Sequence, residues 1–217
     1  MGVRHRRAGP RDTVCELFLL LTMSLLHCSC TKYDQDRQAN TIYNFQVKAL
    51  NGSQVSLQRH QRQILLVTNV AYNKLNALME NFTGSPFTVL GFPCNQFGHQ
   101  DPEEDSEVLN VLKYVRPGNG FVPNFPIFGK ILVNGESEHP LYTFLKASCA
   151  FVNPVLGDKN KLHWSPLKVS DIRWNFEKFL VDGNGRPLKS ASQSILKSEL
   201  TVYFVGKMWQ PIAVSHK

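Results

Sequence analysis

Cysteine is scarce in this chain of 217 residues, with five in all. Cys15, Cys28 and Cys30 crowd the N-terminus, and only Cys94 and Cys149 lie beyond it. So few cysteines without regular spacing argue against a disulfide framework and against a metal site. Long apolar runs are equally rare. Leu17 to Leu26 is the one such run, and it is too short to span a bilayer. No block of Lys and Arg interleaved with aromatic residues occurs, so nucleic acid is not implied. Internal repeats and low-complexity tracts are missing too. A chain of this length is then expected to hold one domain, plus a processed segment.

What is present begins with that segment. Arg4, Arg6, Arg7 and Arg11 precede the apolar run, and small or polar residues follow it. This is the layout of a secretory signal peptide, assigned to residues 1–30, so the mature protein is expected to be secreted. The formal charge of +7 includes these arginines, offset by Asp12 and Glu16. The remainder carries about +5, ordinary for a secreted domain, and reads either as scattered solvated lysines or as a surface that attracts anionic glycans or an anionic thiol. The sequons Asn51-Gly52-Ser53 and Asn81-Phe82-Thr83 mark Asn51 and Asn81 as candidate glycosylation sites.

Periodicity sets the expected elements. Thr41 to Val47 alternates and reads as a strand, with Gln54 to Leu57 as its partner across an Asn51-Gly52 turn. Ile64 to Val70 is continuously apolar, as a central strand covered on both faces should be. Leu75, Leu78, Met79 and Phe82 follow at helical spacing. Phe87 to Phe92 reads as a second buried strand. Ser106 to Val115 reads as a helix, with Asp105 or Ser106 as N-cap. Leu141 to Ser148 reads as a short helix after Pro140. Trp174 to Val181 reads as a strand, and Asp182-Gly183-Asn184-Gly185 as a turn into the next. Strands alternating with helices argue an α/β domain.

Three strings carry chemistry. Asn69-Val70-Ala71 ends the first buried strand, and Tyr72-Asn73-Lys74-Leu75-Asn76 opens the helix after it. Gly91-Phe92-Pro93-Cys94-Asn95-Gln96-Phe97-Gly98-His99-Gln100 follows the second, and Arg173-Trp174-Asn175-Phe176-Glu177-Lys178-Phe179 lies further on. Together these closely resemble the glutathione peroxidases, over roughly residues 40–188. The resemblance implies a thioredoxin-like fold, with a central mixed sheet flanked by helices and an added N-terminal β-hairpin. It implies reduction of hydrogen peroxide and organic hydroperoxides, with glutathione or a related thiol as co-substrate and no separate cofactor. It also implies that Gln100, Trp174 and Asn175 are the catalytic donors. Their chemistry suits peroxide reduction, because indole and amide N–H groups stabilise a chalcogen anion and the leaving oxygen, and none of them titrates. Cys94 matches a cysteine that the family carries beside its true nucleophile, and it is expected to be buried and structural.

The family places its peroxidatic selenocysteine or cysteine in a loop between the Asn-Val-Ala strand end and the Tyr-led helix. Here Ala71 and Tyr72 are adjacent. About eight residues are missing at a connection that normally takes roughly two to six. A selenocysteine codon would fall in this gap, which favours an interrupted gene reading over a splice variant. Selenocysteine is then expected in the complete protein, and this chain itself is expected to be inactive. A secreted non-catalytic thioredoxin-fold binding protein is the competing reading.

Arg116 and Arg173 match positions where the family sets basic residues near the site mouth, and they are candidate contacts for the carboxylates of glutathione. The segment from Gly118 to Glu136 resembles an insertion of the tetrameric members and implies a homotetramer. Phe121, Phe125 and Phe128 there serve either a subunit contact or intrachain packing. Residues 189–217 form a tail that departs from the family.

Overall fold

The computed structural model describes residues 41–69, 73–149 and 157–191. The expected signal peptide, the Ala71-Tyr72 junction and all but the start of the tail lie outside the described residues.

The chain enters through a 3-10 turn, Ile42–Asn44, not an extended strand. The Asn44 side chain causes the difference. Its Oδ1 accepts from Thr41 N at 2.8 Å, and Asn44 N donates back to Thr41 O at 3.1 Å. Strand β1 (Gln46–Lys48) then pairs antiparallel with β2 (Gln54–Ser56) across the expected turn. Gly52 supplies the positive φ of 84° that this turn requires.

Strand β3 (Ile64–Thr68) is buried along its whole length. Successive side chains serve opposite faces, as the two-residue period demands. Leu65 and Val67 join one core with Leu90, Phe92, Phe179 and Val181. Ile64 and Leu66 join the other with Leu75, Phe87, Val89 and Leu180. Helix α1 (Asn73–Asn81) covers this second face through Leu75, Leu78 and Met79. Strand β4 (Phe87–Gly91) lies parallel to β3.

Helix α2 (Val108–Tyr114) starts later than expected, after a 3-10 turn at Asp105–Glu107. Asp105 does not cap it, because its carboxylate is engaged elsewhere. It accepts from Lys130 N at 2.7 Å and pairs with Lys48 Nζ at 3.0 Å. Helix α3 (Pro140–Ser148) starts with Pro140 in its first turn, and the His139 ring accepts from Leu141 N at 3.2 Å. Its Leu141, Tyr142 and Leu145 are fully buried in the larger core.

Strand β5 (Lys178–Val181) pairs antiparallel with β3 on the side away from β4, and β6 (Pro187–Ala191) pairs antiparallel with β5. The expected strand from Trp174 is therefore cut to its second half. Phe176 stands at φ 77°, which breaks the extended run. The β5–β6 turn is tied by Asp182, whose Oδ1 accepts from Asn184 N and Arg186 N at 2.9 Å each. The order β4-β3-β5-β6, with one parallel and two antiparallel pairings, is a thioredoxin-like mixed sheet with the hairpin added before it.

Two expectations resolve within this frame. Phe125 and Phe128 are buried, and Phe128 stacks on Phe92 at 5.0 Å, so both serve intrachain packing. Cys149 is disulfide-bonded. The other described cysteine, Cys94, is free. Scarcity of cysteine does not exclude a bridge, because one bridge needs only two cysteines folded within reach.

Candidate functional site

Beyond the carboxyl end of β3 the chain leaves Asn69 buried and hydrogen-bonded to a distant loop. Asn69 Nδ2 donates to Trp174 O at 3.3 Å, and Phe176 N donates to Asn69 O at 3.0 Å. The left-handed Phe176 makes this possible by turning the chain out of the sheet at Asn175. Thr68 Oγ1 and Asn69 Oδ1 are buried without a hydrogen-bond partner, next to residues outside the description.

A second loop arrives from β4. Gly98 and His99 both adopt positive φ, 64° and 50°, and this double left-handed step reverses the chain before Gln100. Phe97 is fully buried and lies between Trp164, at 5.2 Å, and Trp174, at 5.7 Å between ring centroids. Gly98 N donates to Lys161 O at 2.7 Å, and His163 N to Gln96 O at 3.0 Å. The His99 and His163 rings stack at 3.6 Å on the rim.

The two loops meet where Asn175 Nδ2 donates to Gln100 Oε1 at 2.8 Å. A side chain at Gly98 would lie 3.7 Å from both Gln100 Cγ and the Trp174 ring, so the indole stands beside the pair. Asn175 is buried, Trp174 half-buried and Gln100 exposed. Because Gln100 accepts through its oxygen, its NH₂ group keeps two donors. Neither that group nor Trp174 Nε1 has an acceptor among the described residues. The site therefore holds neutral N–H donors that are not engaged by an acceptor among the described residues.

The two arginines part company. Arg116 is exposed and donates to Gln100 O. It also lines a shallow open pocket with Pro102, Glu103, Val111 and Val115. Arg173 is buried, and its Nη2 donates to Val169 O at 2.7 Å. Its Nε has no hydrogen-bond partner. A guanidinium held this way is not offered at the surface. Of the glycosylation candidates, Asn51 is exposed, with its Oδ1 accepting from Ser53 N and Oγ. Asn81 is exposed at the end of α1, with its Nδ2 donating to Ala77 O at 2.8 Å.

Burial dominates the electrostatics beneath the site. The Cys94 thiol is 1 % exposed and pushed up to about 12, so it stays protonated at neutral pH. Burial raises the Glu177 carboxyl to about 7 despite the opposing pull of Lys178 and Arg173. Burial also lowers Lys178, the reciprocal effect on a cation. Sequence patterns gave no warning of Glu177, nor of the buried amides of Gln96 and Asn134 behind the donor loops. Their one signal was an Asn or Gln inside a buried stretch, visible only once burial is known. Among the described residues, no group of three His, Cys, Asp or Glu side chains is placed to hold a metal ion.

Comparison with known proteins points to one family. The family model described as "Glutathione peroxidase" matches residues 42–146. A cuticular glutathione peroxidase of Brugia malayi is 48% identical over 157 residues, covering 68% of this chain and 70% of that one. An epididymal secretory glutathione peroxidase of Canis lupus familiaris is 46% identical over 176 residues, with coverage of 75% and 80%. Among solved structures, the crystal structure of T. cruzi GPX1 aligns with a TM-score of 0.53 and 30% identity, over 76% of this chain and 95% of that one.

Proposed function

The chain belongs to the glutathione peroxidase family, and on that footing we propose that Gln100, Trp174 and Asn175 are its donor set for reducing hydroperoxides. One observation carries the reading: the Asn175–Gln100 hydrogen bond at 2.8 Å, which joins two distant loops beside the Trp174 indole. A chalcogen nucleophile attacks one peroxide oxygen, the O–O bond breaks, and the second oxygen leaves as alkoxide or hydroxide and takes a proton. Two thiols then return the oxidised chalcogen to its starting state, forming a disulfide and water. Gln100 Nε2 and Trp174 Nε1 suit the anion before attack, and they do so without adding a charge that titrates. Asn175 orients Gln100 through its oxygen, which turns the amide N–H groups away from that contact.

This chain carries the donors without the nucleophile. We place the missing group between Ala71 and Tyr72, as selenocysteine in the complete protein. Glutathione or a related thiol is the proposed reductant. Arg116 is better suited than Arg173 to meet its carboxylates, since Arg173 is buried. The protein is proposed to act outside the cell. Phe125 and Phe128 face inward, so the apolar side chains this segment offers to a proposed homotetramer contact are the exposed Val122 and Leu132.

The test is hydroperoxide-dependent oxidation of glutathione, coupled to its reductase. The chain as it stands is expected to be inactive. Insertion of the family's loop between Ala71 and Tyr72, with selenocysteine or cysteine, is expected to confer activity, with selenocysteine the faster. Full activity of the uninserted chain, abolished by Cys94→Ser, would make Cys94 the nucleophile and overturn the reading. The competing reading, a secreted binding protein, is favoured by one fact: the free described cysteine is buried. A transcript that splices cleanly across the gap, without an in-frame UGA, would support it.

A further inference from the structure

We propose that Gln96 and Asn134 are positioning residues that hold the Gln100 loop against the Trp174–Asn175 loop. The proposal rests on the reading of Gln100, Trp174 and Asn175 as the donor set. Neither Gln96 nor Asn134 hydrogen-bonds to those side chains among the described residues. Each acts through backbone.

Buried backbone N–H and C=O groups outside a sheet need other partners. At residues 133–134 the Gln96 amide supplies them. Its Oε1 accepts from Val133 N at 2.8 Å and from Asn134 N at 3.1 Å, and its Nε2 donates to Asn134 O at 2.8 Å. At residue 172 the Asn134 amide does the same. Its Oδ1 accepts from Ile172 N and its Nδ2 donates to Ile172 O, both at 2.9 Å. Two side-chain amides in series thus join three stretches of chain that share no sheet ladder. Gln96, Asn134 and Ile172 are 4 %, 1 % and 0 % exposed, so water does not compete for these bonds.

The far end of the series is also closed. Lys146 Nζ donates to Asn134 Oδ1 at 3.2 Å, which fixes which end of that amide is oxygen. Lys146 in turn meets Glu138, and Asp171 at 3.5 Å. Asp171, next to Ile172, accepts from Trp164 Nε1 at 2.8 Å and from Lys168 N at 2.7 Å. The Ile172 backbone is therefore gripped from both sides.

The consequence falls on the donors. Trp174 and Asn175 lie just after Ile172, and Gln100 follows Gln96 across the left-handed Gly98-His99 step. Gln100 is exposed, so little packing holds its side chain. Its link to Asn175 depends on the spacing of the two loops. An added separation of about 1 Å would take a 2.8 Å contact out of hydrogen-bond range.

The experiment uses the full chain, labelled with ¹⁵N in Asn and Trp side chains. Asn134→Ala is expected to shift or broaden the Asn175 side-chain amide and Trp174 indole resonances. Asn134→Asp keeps the acceptor for Ile172 N and Lys146, and it should recover part of the change. Val89→Ala opens a cavity in the core on the other face of the sheet. Compared at an equal loss of melting temperature, it should leave both signals in place. Unmoved signals in Asn134→Ala, or equal movement in Val89→Ala, would overturn the proposal. If Asn134→Ala does not fold, Gln96→Met, similar in size but without the amide, is read the same way. The readout is resonance position, not turnover, so an inactive loop-inserted protein would count against the peroxidase reading alone.

Discussion

Asn175 Nδ2 lies 2.8 Å from Gln100 Oε1, although the two residues are 75 positions apart. The contact sets the sense of the Gln100 amide. An oxygen that accepts from Asn175 leaves the NH₂ end free to serve a reacting anion. A glutamine with the opposite sense would present an acceptor and repel that anion. The orientation of one amide, held by its neighbour, therefore separates a donor site from a site of the wrong polarity.

Removal of one donor should weaken catalysis steeply. In the loop-inserted protein, Gln100→Ala or Trp174→Ala should lower turnover by roughly 10- to 1,000-fold, the scale of losing one preorganised donor. Steady-state rates with hydrogen peroxide at saturating glutathione provide the check. Retention of full turnover by both variants would remove these residues from the chemistry.

Cys94 should be silent in the native protein. Burial pushes its thiol up to about 12, and Sγ sits 3.6 Å from Gln96 Oε1 in the core. Alkylation by iodoacetamide at about pH 8, followed by mass spectrometry, should leave Cys94 unmodified until the chain is unfolded. Rapid native labelling would contradict its burial.

Glu177 should make stability fall as pH rises. Its carboxyl titrates near 4.5 when unfolded and at about 7 when folded. Below the lower value both states hold the proton, and the native state carries no penalty. Between the two values the unfolded chain releases its proton first, so unfolding becomes easier. Above the upper value the loss is complete, at about 3 kcal/mol. Glu177→Gln removes this component. The difference in unfolding free energy between variant and parent should therefore shift in the variant's favour between about pH 4 and pH 8. Urea titrations across that range measure it. The slope is diagnostic, because the attraction to Lys178 and Arg173 is already contained in the folded value of about 7, whereas any packing change in the variant shifts stability equally at every pH.

Asn51 should carry glycan when the protein is secreted. It is exposed at the tip of the β1–β2 hairpin, and its Oδ1 accepts from Ser53 Oγ at 2.7 Å. N-glycosidase treatment should lower the mass of the secreted protein, and Asn51→Gln should reduce that loss. An unchanged mass on treatment would show that the sequon is unused.

Local pattern alone made much of this protein readable. The continuous apolar run at Ile64 to Val67 identified the central strand, since only a strand covered on both faces needs every residue apolar. Asn51-Gly52 located the hairpin, and Asp182 to Gly185 the turn before β6, because turn chemistry acts within a few residues. The strings around Gln100 and Trp174-Asn175 identified the family and the donor candidates.

What remained hidden was decided by contacts that pattern does not encode, most of them over long distances. Whether Thr41 to Asn44 extends or coils depends on one side-chain oxygen reaching back to the backbone. Trp174 to Glu177 leaves the strand because Phe176 turns left-handed and bonds to Asn69. Arg173 and Arg116 look alike in sequence, yet the fold buries the first and exposes the second. Gln96 and Asn134 read as ordinary polar residues until the folded chain brings them to partners 37 and 38 positions away. Hydrophobic periodicity and turn propensity are properties of neighbouring residues, so the sequence by itself determined most of the elements, the family and the donor candidates. Which amide faces which backbone, and which charge is withdrawn from water, depends on groups that meet only on folding, and the tertiary structure alone decided them.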